Sequence, residues 1–262
     1  QPSVGVYFND QPVTTILGFL PLHIYDIERV EAIAGPQGTL FGAGAQSGVL
    51  RIISNKPDIS GFEAGYDLEL NQIDHGGTGA QAEFFVNQPV AENAAVRLVG
   101  YYKKDAGYID NVLGSRTFPT SGITATNADL VEKDFNSAET YGARAALRID
   151  LNDSWTITPS VMAQKTSVEG IGAFDPKLGD LKVERFEPDF SDDRILQAAL
   201  SVEGKIGNFD LVYSSSYLDR KIASANDYTL AAAWNKVMKS LKRQIQRRLA
   251  RRETRGPRSE ER

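Results

Sequence analysis

The sequence predicts a mainly β protein built largely from one sheet of long antiparallel strands. Between Gly61 and about Ile222, apolar and polar residues alternate with a period of two, which is typical of strands with two different faces. Most alternating segments run 11–14 residues, about twice the usual 5–6 residues of a strand in a soluble sheet. Short and long connections follow each other in turn along this part of the chain.

A smaller α/β or β-rich unit is predicted over residues 1–60. Val4–Phe8 reads as a short strand, and residues 9–12 have the composition of a turn. Residues 27–33 alternate apolar and charged side chains, the signature of a half-buried strand, and residues 49–54 predict a last short strand. The glycine-rich run between them lacks the spacing of a phosphate-binding loop.

Seven strands are expected in the larger segment, over residues 61–73, 78–88, 94–105, 137–151, 154–166, 194–205 and 209–222. The connections at 87–93, 152–153 and 206–208 are tight, 72–77 is intermediate, and 106–136 and 167–193 are long and polar. Outer-membrane barrels combine short turns at one end with long loops at the other. Periodicity alone leaves a large soluble β-domain open, because any two-faced sheet alternates, and Pro159 is unusual inside a strand.

The net charge of −5 divides unevenly along the chain. Residues 230–262 contain eleven Lys or Arg and three Glu, a net +8, and the rest of the chain carries −13. An acidic body with a basic tail is not a nucleic-acid-binding domain throughout, and only the tail could meet phosphate. No nucleic-acid partner is expected. The absence of cysteine excludes disulfides, thiolate metal sites and cysteine nucleophiles. No apolar run reaches the ~18 residues that a spanning helix needs.

The basic tail, residues 230–262, predicts an amphipathic helix. Its apolar residues fall on one helical face, and lysine and arginine cover the remainder. The apolar positions are Trp234, Val237, Met238, Leu241, Ile245 and Leu249. We interpret the tail as foreign to the sheet, arising near Leu230 from a frameshift, a gene-model error or a fusion. A helix that lies on an anionic membrane surface is the alternative.

No arrangement of residues in the sequence indicates catalysis or a resident metal. His23 and His75 are the only histidines, and they are far apart and without neighbouring ligands. Acidic pairs such as Asp192-Asp193 are expected to be solvated in polar loops. The sequence therefore predicts a protein that is not an enzyme and holds no cofactor.

One motif narrows the choice of fold. Residues 27–57 read IERVEAIAGPQGTLFG followed by AGAQSGVLRIISNKP. This resembles the C-terminal half of the plug domain of TonB-dependent outer-membrane receptors. The positions in register are Arg29, Glu31, Gly35, Pro36, Gly38, Leu40, Phe41, Gly42, Gly48, Lys56 and Pro57. With weaker likeness upstream at 5–13 and downstream at 87–97, the resemblance covers about residues 1–229.

The resemblance implies an architecture in three parts. Residues 1–60 would be the C-terminal part of the plug, residues 61–229 the first strands of a 22-stranded transmembrane barrel, and residues 230–262 the tail. The chain is then expected to be a fragment that lacks the energy-coupling box, the first part of the plug and most of the barrel. Charged side chains would face the plugged lumen, and apolar ones would face lipid. The expected lumen residues are Glu63, Asp67, Glu69, Gln81, Glu83, Arg97, Arg144 and Arg148, and the expected aromatic-girdle residues are Tyr66, Tyr101, Tyr102, Tyr141, Tyr213 and Tyr217.

The resemblance also implies a function for the parent protein. Such receptors bind a scarce large solute, foremost a ferric siderophore and otherwise cobalamin, haem or an oligosaccharide. A TonB-type periplasmic protein supplies the energy, so any iron or cobalt would arrive with the solute. By analogy, Gln11, Thr14, Thr15 and Phe19 on the plug loop and the loops at 106–136 and 167–193 would face the ligand. Arg29 and Glu31 would help lock the plug to the barrel, unless they form only an ordinary surface ion pair.

Two alternatives remain open on the sequence. One is a soluble or surface-attached β-rich binding module of the adhesin kind, which would need no detergent. The other is a non-functional truncated receptor product.

Overall fold

The computed structural model describes residues 2–15, 18–42, 44–118 and 122–228. The helix predicted in the basic tail lies outside these described residues. Within the described ranges no helix is long and apolar enough to cross a membrane. The main chain is dominated by strands, as the alternation predicts.

The N-terminal unit, residues 2–60, is a small mixed sheet with one short helix. Its elements are β1 (Val4–Phe8), β2 (Gln11–Pro12), β3 (Thr14–Thr15), β4 (Gly18–Phe19), β5 (Ile27–Ala34), α1 (Gly38–Phe41) and β6 (Gly48–Ser54). Four of these strands pair in the order β2-β1-β6-β5, with β1 and β6 parallel and the other pairs antiparallel. Because β5 is the edge strand, it is less buried than its alternation predicts, and Val30 is half exposed.

The large sheet contains the seven predicted strands in unbroken antiparallel order. Its strands, together with the small elements between them, are β7 (Glu63–Gln72), β8 (Thr78–Ala91), β9 (Ala94–Asp105), β10 (Asp110–Asn111), β11 (Ser115–Thr117), β12 (Thr124–Thr126), a 3-10 turn (Ala128–Leu130), β13 (Ala138–Asn152), β14 (Trp155–Glu169), β15 (Lys182–Val183), β16 (Phe190–Ile206) and β17 (Phe209–Ala225). The order β7-β8-β9-β13-β14-β16-β17 is a simple meander. Strands of 10–17 residues confirm the predicted excess length.

Pro159 is accommodated in the interior of β14. The pairing of β13 with β14 is interrupted beside it, between the pairs Ala146–Ser160 and Ile149–Ile157. On the other side Pro159 still lies opposite Leu200 of β16. A residue without an N–H can therefore occupy this strand at the cost of a local gap in one hydrogen-bond ladder.

The two ends of the large sheet differ. At one end the strands are joined by turns of two residues, at 92–93, 153–154 and 207–208. At the other end lie the connections 73–77, 106–137 and 170–189. We name the last two the loop cap. It has its own small core of Ile109, Phe135 and Val183, and its two loops pair in parallel through β10 and β15.

The N-terminal unit packs against one face of the large sheet. Among the described residues, the main apolar cluster contains Val6, Phe8, Val13, Leu20 and Ile52 from the N-terminal unit and Ile195 from the large sheet. The large sheet therefore contributes little to this cluster. Exposed apolar residues on the opposite face of the sheet include Tyr66, Leu68, Leu70, Phe84, Leu98, Tyr141, Val161, Leu196 and Tyr217.

Gly48 is required by its backbone conformation at the start of β6. Its φ is +154°, and a Cβ atom there would lie 2.6 Å from the carbonyl oxygen of Ile33. We expect Gly48→Ala to lower the free energy of unfolding by about 1–3 kcal/mol, because both the φ angle and the contact are strained. Urea unfolding of the detergent-refolded chain measures this loss.

Gly38→Ala is the matched control for this substitution. A Cβ atom at Gly38 meets nothing within 4 Å, so its effect should stay within about 0.5 kcal/mol. Equal unfolding midpoints for the two variants would contradict the assignment of strain to Gly48.

Candidate functional site

The contact between the N-terminal unit and the large sheet centres on the anchor segment, residues 21–26. This segment lies between β4 and β5 and has no regular structure of its own. Its side chains and carbonyl groups contact inward-facing residues of β7, β8, β9, β13 and β14. The segment therefore ties the smaller unit to five of the seven strands.

Asp26 is the most buried charge of the anchor segment, with a side chain 1% exposed. Arg97 donates two hydrogen bonds to its carboxylate, from Nε at 2.9 Å and from Nη2 at 2.5 Å. Arg144 Nη2 donates to the Asp26 carbonyl oxygen at 2.9 Å and lies 3.2 Å from Oδ2. Asn55 donates to Oδ1 at 2.8 Å. One carboxylate thus holds two buried arginines from different strands, a bidentate geometry that strengthens such pairs.

Aromatic rings flank both arginines. The guanidinium carbon of Arg97 lies 4.4 Å from the centre of the Phe85 ring, and that of Arg144 lies 5.5 Å from the centre of the Phe8 ring. Cations at these distances are attracted by the ring faces. The rings also keep water from the ion pairs, which strengthens the charge interactions at Asp26.

His23 forms a second polar centre in the anchor segment. Its Nε2 pairs with the buried carboxylate of Glu83, and its ring lies on Tyr101 with centroids 4.5 Å apart. Gln164 completes the centre: Oε1 accepts from the His23 backbone N–H and from the Tyr101 hydroxyl, both at 2.9 Å. Gln164 Nε2 donates to the carbonyl of Pro21 at 2.7 Å. These bonds fix the main chain of the segment as well as its side chains.

Tyr25 donates from its hydroxyl to Asp67 Oδ2 at 2.8 Å. Burial raises the pKa of Tyr25 to about 12, and the hydrogen bond to Asp67 adds to the rise. Both effects favour the neutral phenol, since ionisation would bring a second negative charge beside the carboxylate.

Three further contacts lie outside the anchor segment. Gln11 Nε2 donates to Ser214 Oγ of β17 at 2.5 Å, and Lys56 pairs with Glu203 of β16. Asn87 of β8 is fully buried and exchanges hydrogen bonds with the main chain at Asp58, at 2.8 and 2.9 Å. Together with the bond from Tyr25 to Asp67 of β7, these contacts connect the N-terminal unit to both edge strands of the large sheet.

Most of the predicted lumen residues whose contacts are observed face the N-terminal unit, in agreement with the prediction. Glu63, Asp67, Glu83, Arg97 and Arg144 all bond to the N-terminal unit or to a residue that does. The girdle prediction is wrong for Tyr101, which is 7% exposed and faces the N-terminal unit. Asp193 was also wrongly expected to be solvated, since it is 8% exposed and forms a bidentate pair with Arg220.

The charged pair of the motif at residues 27–57 stays within the N-terminal unit. Arg29 donates to Glu28 at 2.5 Å and to Glu31 at 2.8 Å, and Glu31 also accepts from Arg51. The hydrogen bond from Arg29 lowers the pKa of Glu31, and the charge of Arg51 adds to the effect. The observed ties to the seven strands are made by other residues, so a locking role for Arg29 and Glu31 stays a prediction.

The apolar and glycine residues of the motif build turns. Gly35 and Gly42 have φ of +86° and +73°. Phe41 meets Tyr7 edge to face, with centroids 5.0 Å apart, and its carbonyl accepts from the Tyr7 hydroxyl. Leu40 is 81% exposed, whereas Pro57 is fully buried. The motif thus shapes the N-terminal unit, and only Lys56 reaches the large sheet through an ion pair.

The four predicted ligand residues occupy different environments. Gln11 is buried against Ser214. The hydroxyl of Thr14 bonds to the main chain of Val6, and that of Thr15 donates to the carbonyl of Gly18. Phe19 is 65% exposed. Their role as ligand contacts stays a prediction, and among them Phe19 is the one that presents a large free surface.

The described residues contain no group of three or more His, Asp or Glu arranged to hold a metal ion. A small cavity of about 70 Å³ lies between the N-terminal unit and the large sheet, lined by Phe8, Gln11, Arg144, Ser160, Gln197 and Ser214 among others. A larger, half-open space of about 680 Å³ lies between the loop cap and the ends of β13, β14 and β16.

Comparisons with known proteins agree with this architecture. No family model matches the chain. A stretch of 57 residues, 22% of the chain, is 48% identical to the pesticin receptors of Yersinia enterocolitica and Yersinia pestis, and it covers 8% of their length. The solved ferric yersiniabactin uptake receptor of Yersinia pestis is similar with a TM-score of 0.65 and 18% identity, covering 86% of this chain and 33% of that one.

Two further solved receptors come from Pseudomonas aeruginosa. A variant of its ferric enterobactin receptor gives a TM-score of 0.58 at 15% identity, and a siderophore receptor gives 0.56 at 14% identity. Each covers 86% of this chain and 34% of its own length. The chain therefore spans about a third of the length of the solved receptors it matches.

Over these residues the fold is similar to that of the plug domain and adjoining barrel strands of the solved receptors. Over the part of the chain that these comparisons cover, the resemblance to TonB-dependent receptors predicted from the motif is confirmed.

Asp26 is expected to contribute most to holding the N-terminal unit in place. Asp26→Asn leaves Arg144 without its carboxylate partner and Arg97 with only Glu63. Removing one partner of a buried ion pair typically costs about 3–5 kcal/mol. We expect a loss of this size in urea unfolding, together with faster protease cleavage within residues 2–60.

Asp10→Asn provides the control for this loss. Asp10 also pairs with an arginine, Arg51 at 2.9 Å, but its side chain is 37% exposed. The expected loss is about 0–1 kcal/mol. Losses of similar size for the two variants would show that Asp26 has no special role.

Tyr25 gives a pH-dependent prediction. Its folded pKa of about 12 exceeds its ordinary value of 10.0, so its contribution to stability is fully present below pH 10 and is lost as pH rises through 12. Tyrosinate formation is followed by ultraviolet absorbance in the chain and in its Tyr25→Phe variant. The difference between the two titration curves should show one phenol that ionises near pH 12. An ordinary midpoint near 10 would contradict the burial and the Asp67 hydrogen bond.

Proposed function

We propose that this chain is part of an energy-coupled outer-membrane receptor that takes up a scarce large solute, foremost a ferric siderophore. The observation that carries the proposal is the clamp of Asp26 between Arg97 and Arg144, which seats the N-terminal unit on the inward face of the large sheet. The likeness to siderophore receptors supports it.

The two faces of the large sheet support a membrane setting. The inward face carries the charges that meet the N-terminal unit, and the outward face carries exposed leucine, phenylalanine, tyrosine and valine. A continuous apolar face of this size is unfavourable in water, whereas a transmembrane barrel presents such a face to lipid. This disfavours the soluble binding module as an alternative.

The proposed receptor function also implies an orientation in the membrane and a partner protein. The loop cap would face the exterior, the two-residue turns would face the periplasm, and a TonB-type periplasmic protein would supply energy. Iron or cobalt would enter only as part of the solute, and no enzymatic step is assigned to the chain. The similar proteins are receptors by name, in agreement with this assignment.

The contact between the N-terminal unit and the large sheet is of a kind that would allow the N-terminal unit to be displaced. Apolar contact across it is small, with Ile195 as the only member of the main apolar cluster from the large sheet among the described residues. Ion pairs and hydrogen bonds can be exchanged for water as the unit is displaced, so each step costs little compared with exposing an apolar core. A few strong pairs at the anchor segment would hold the closed state until energy is delivered.

Membrane insertion is tested by an arginine on the outward face. Leu98 lies near the middle of β9 and is 45% exposed. If lipid covers it, Leu98→Arg should cost about 2–4 kcal/mol and reduce insertion into lipid vesicles. Leu113→Arg serves as the control, because Leu113 is 65% exposed in the loop cap and would remain in water. Equal insertion of both variants, or solubility without detergent, would favour the soluble module.

Transport is tested in cells that lack their own siderophore receptors. The receptor that carries this segment should restore uptake of labelled iron as a ferric siderophore, and only when the periplasmic coupling protein is present. Uptake that does not depend on the coupling protein would overturn the energy-coupled mechanism.

A further inference from the structure

The loop cap and the ends of three strands border a half-open cavity that none of the contacts described above occupies. It has a volume of about 680 Å³ and lies between residues 129–135 of one loop, residues 185–189 of the other, and the ends of β13, β14 and β16. Sites for small molecules commonly have about 300–1,000 Å³. The cavity is therefore large enough for an organic ligand or for one part of a larger ligand.

The charge of the cavity lining is strongly unbalanced. Among the residues that the structure describes, Arg185 is the only basic one that lines it. Seven carboxylates face it: Asp129, Glu132, Glu139, Glu169, Glu187, Asp189 and Asp192. A concave surface of one charge sign concentrates the electric field and raises the local concentration of oppositely charged solutes.

Asp189 has the oxygens that a ligand would satisfy. Its side chain is 1% exposed, and among the described residues neither carboxylate oxygen accepts a hydrogen bond of normal geometry. Arg185 forms a long ion pair with it, with Nε 3.5 Å from Oδ2, and this Nε has no hydrogen-bond partner in the same part of the chain. Burial raises the pKa of Asp189, and the Arg185 charge and the Asp227 main chain only partly offset it. A buried carboxylate left in this state is costly, so a donor that reaches it gains binding energy.

The walls of the cavity are built before any ligand arrives. Asn111 accepts from the Arg185 backbone N–H at 2.8 Å and donates to the carbonyl of Leu130 at 2.6 Å. Asn127, 2% exposed, donates to the carbonyl of Val112 and accepts from the Gly114 N–H. Loops held in this way lose little conformational entropy on binding.

The spacing of the acids indicates the type of cation. In the described part of the chain, no three of them are arranged as ligands around one ion, so a bare metal ion would lack a coordination shell. An extended organic cation can instead place one donor at Asp189 while its length passes other carboxylates.

We propose that the loop cap binds a positively charged organic group, an ammonium or a guanidinium, through Asp189 and the surrounding carboxylates. This proposal rests on the proposed receptor function. It specifies a positive charge for the solute, or for the part of the solute that contacts these loops. Polyanionic ligands are repelled by the same lining, so the site selects neutral or cationic solutes.

The test uses the full 262-residue chain refolded in detergent micelles, with agmatine as the cationic probe and citrate as the anionic counterpart. Calorimetry should show binding of agmatine that weakens with salt, and no binding of citrate. Asp189→Asn should weaken agmatine at least about tenfold, the loss of one charge-assisted hydrogen bond.

Two further variants guard against misfolding and nonspecific charge effects. The double variant Glu132→Gln, Glu187→Gln changes two exposed residues of the cavity lining. It should weaken agmatine binding about three- to tenfold by lowering the local potential. Asp153→Asn removes one exposed carboxylate in a turn at the opposite end of the sheet and should leave the affinity unchanged.

Three results would overturn the inference: no agmatine binding at millimolar concentration, equal affinities in all variants, or equal binding of citrate. Vesicle insertion of the same preparation tests the receptor function separately. A chain that inserts but does not bind agmatine refutes the cation site alone, and a chain that needs no detergent refutes the receptor.

Discussion

The position of the N-terminal unit depends on one buried carboxylate. Asp26 is held by Arg97 from β9 and Arg144 from β13, so the anchor segment can occupy a single place on the sheet. Each arginine in turn would be an uncompensated buried charge without Asp26, a state that is strongly unfavourable. The pairing therefore specifies position more than it adds stability, since charges are costly to bury even when paired. His23, Tyr25 and Gln164 then fix the orientation of the segment around that point.

Away from the anchor segment, the face of the large sheet that meets the N-terminal unit carries short side chains. Ser160, Ala199, Ser201 and Ser214 face the small cavity between the two parts. These short side chains leave a gap between the two parts, whereas the anchor segment fills the space that it occupies. The N-terminal unit is therefore packed more tightly against β7 to β13 than against the strands near β17. An applied pull on the N-terminal unit would then meet unequal resistance on its two sides.

Much of the fold could be predicted from the sequence, because period-two alternation directly marks strands with two different faces. The seven strands lie where the alternation places them, with ends that differ by at most a few residues. The motif at 27–57 indicated the N-terminal unit because its glycines and prolines require special turns. The anchor contacts could not be predicted, since Asp26 and Arg97 are separated by 71 positions and meet only once the sheet forms. Tyr101 and Tyr102 cannot both face lipid, because neighbours in a strand face opposite sides. The alternation assigns Tyr101 to the same side as Arg97, so the girdle prediction for Tyr101 followed its residue type and not its position in the strand.

The loop cap joins segments that are distant in sequence through buried asparagines and a parallel pair of short strands. Exposed loops usually change freely during evolution because each is independent of the others. Here a substitution at Asn111 would disturb the main chain at both Leu130 and Arg185. The outer rim of these loops can therefore vary one residue at a time, while their inner side must change in concert or stay as it is.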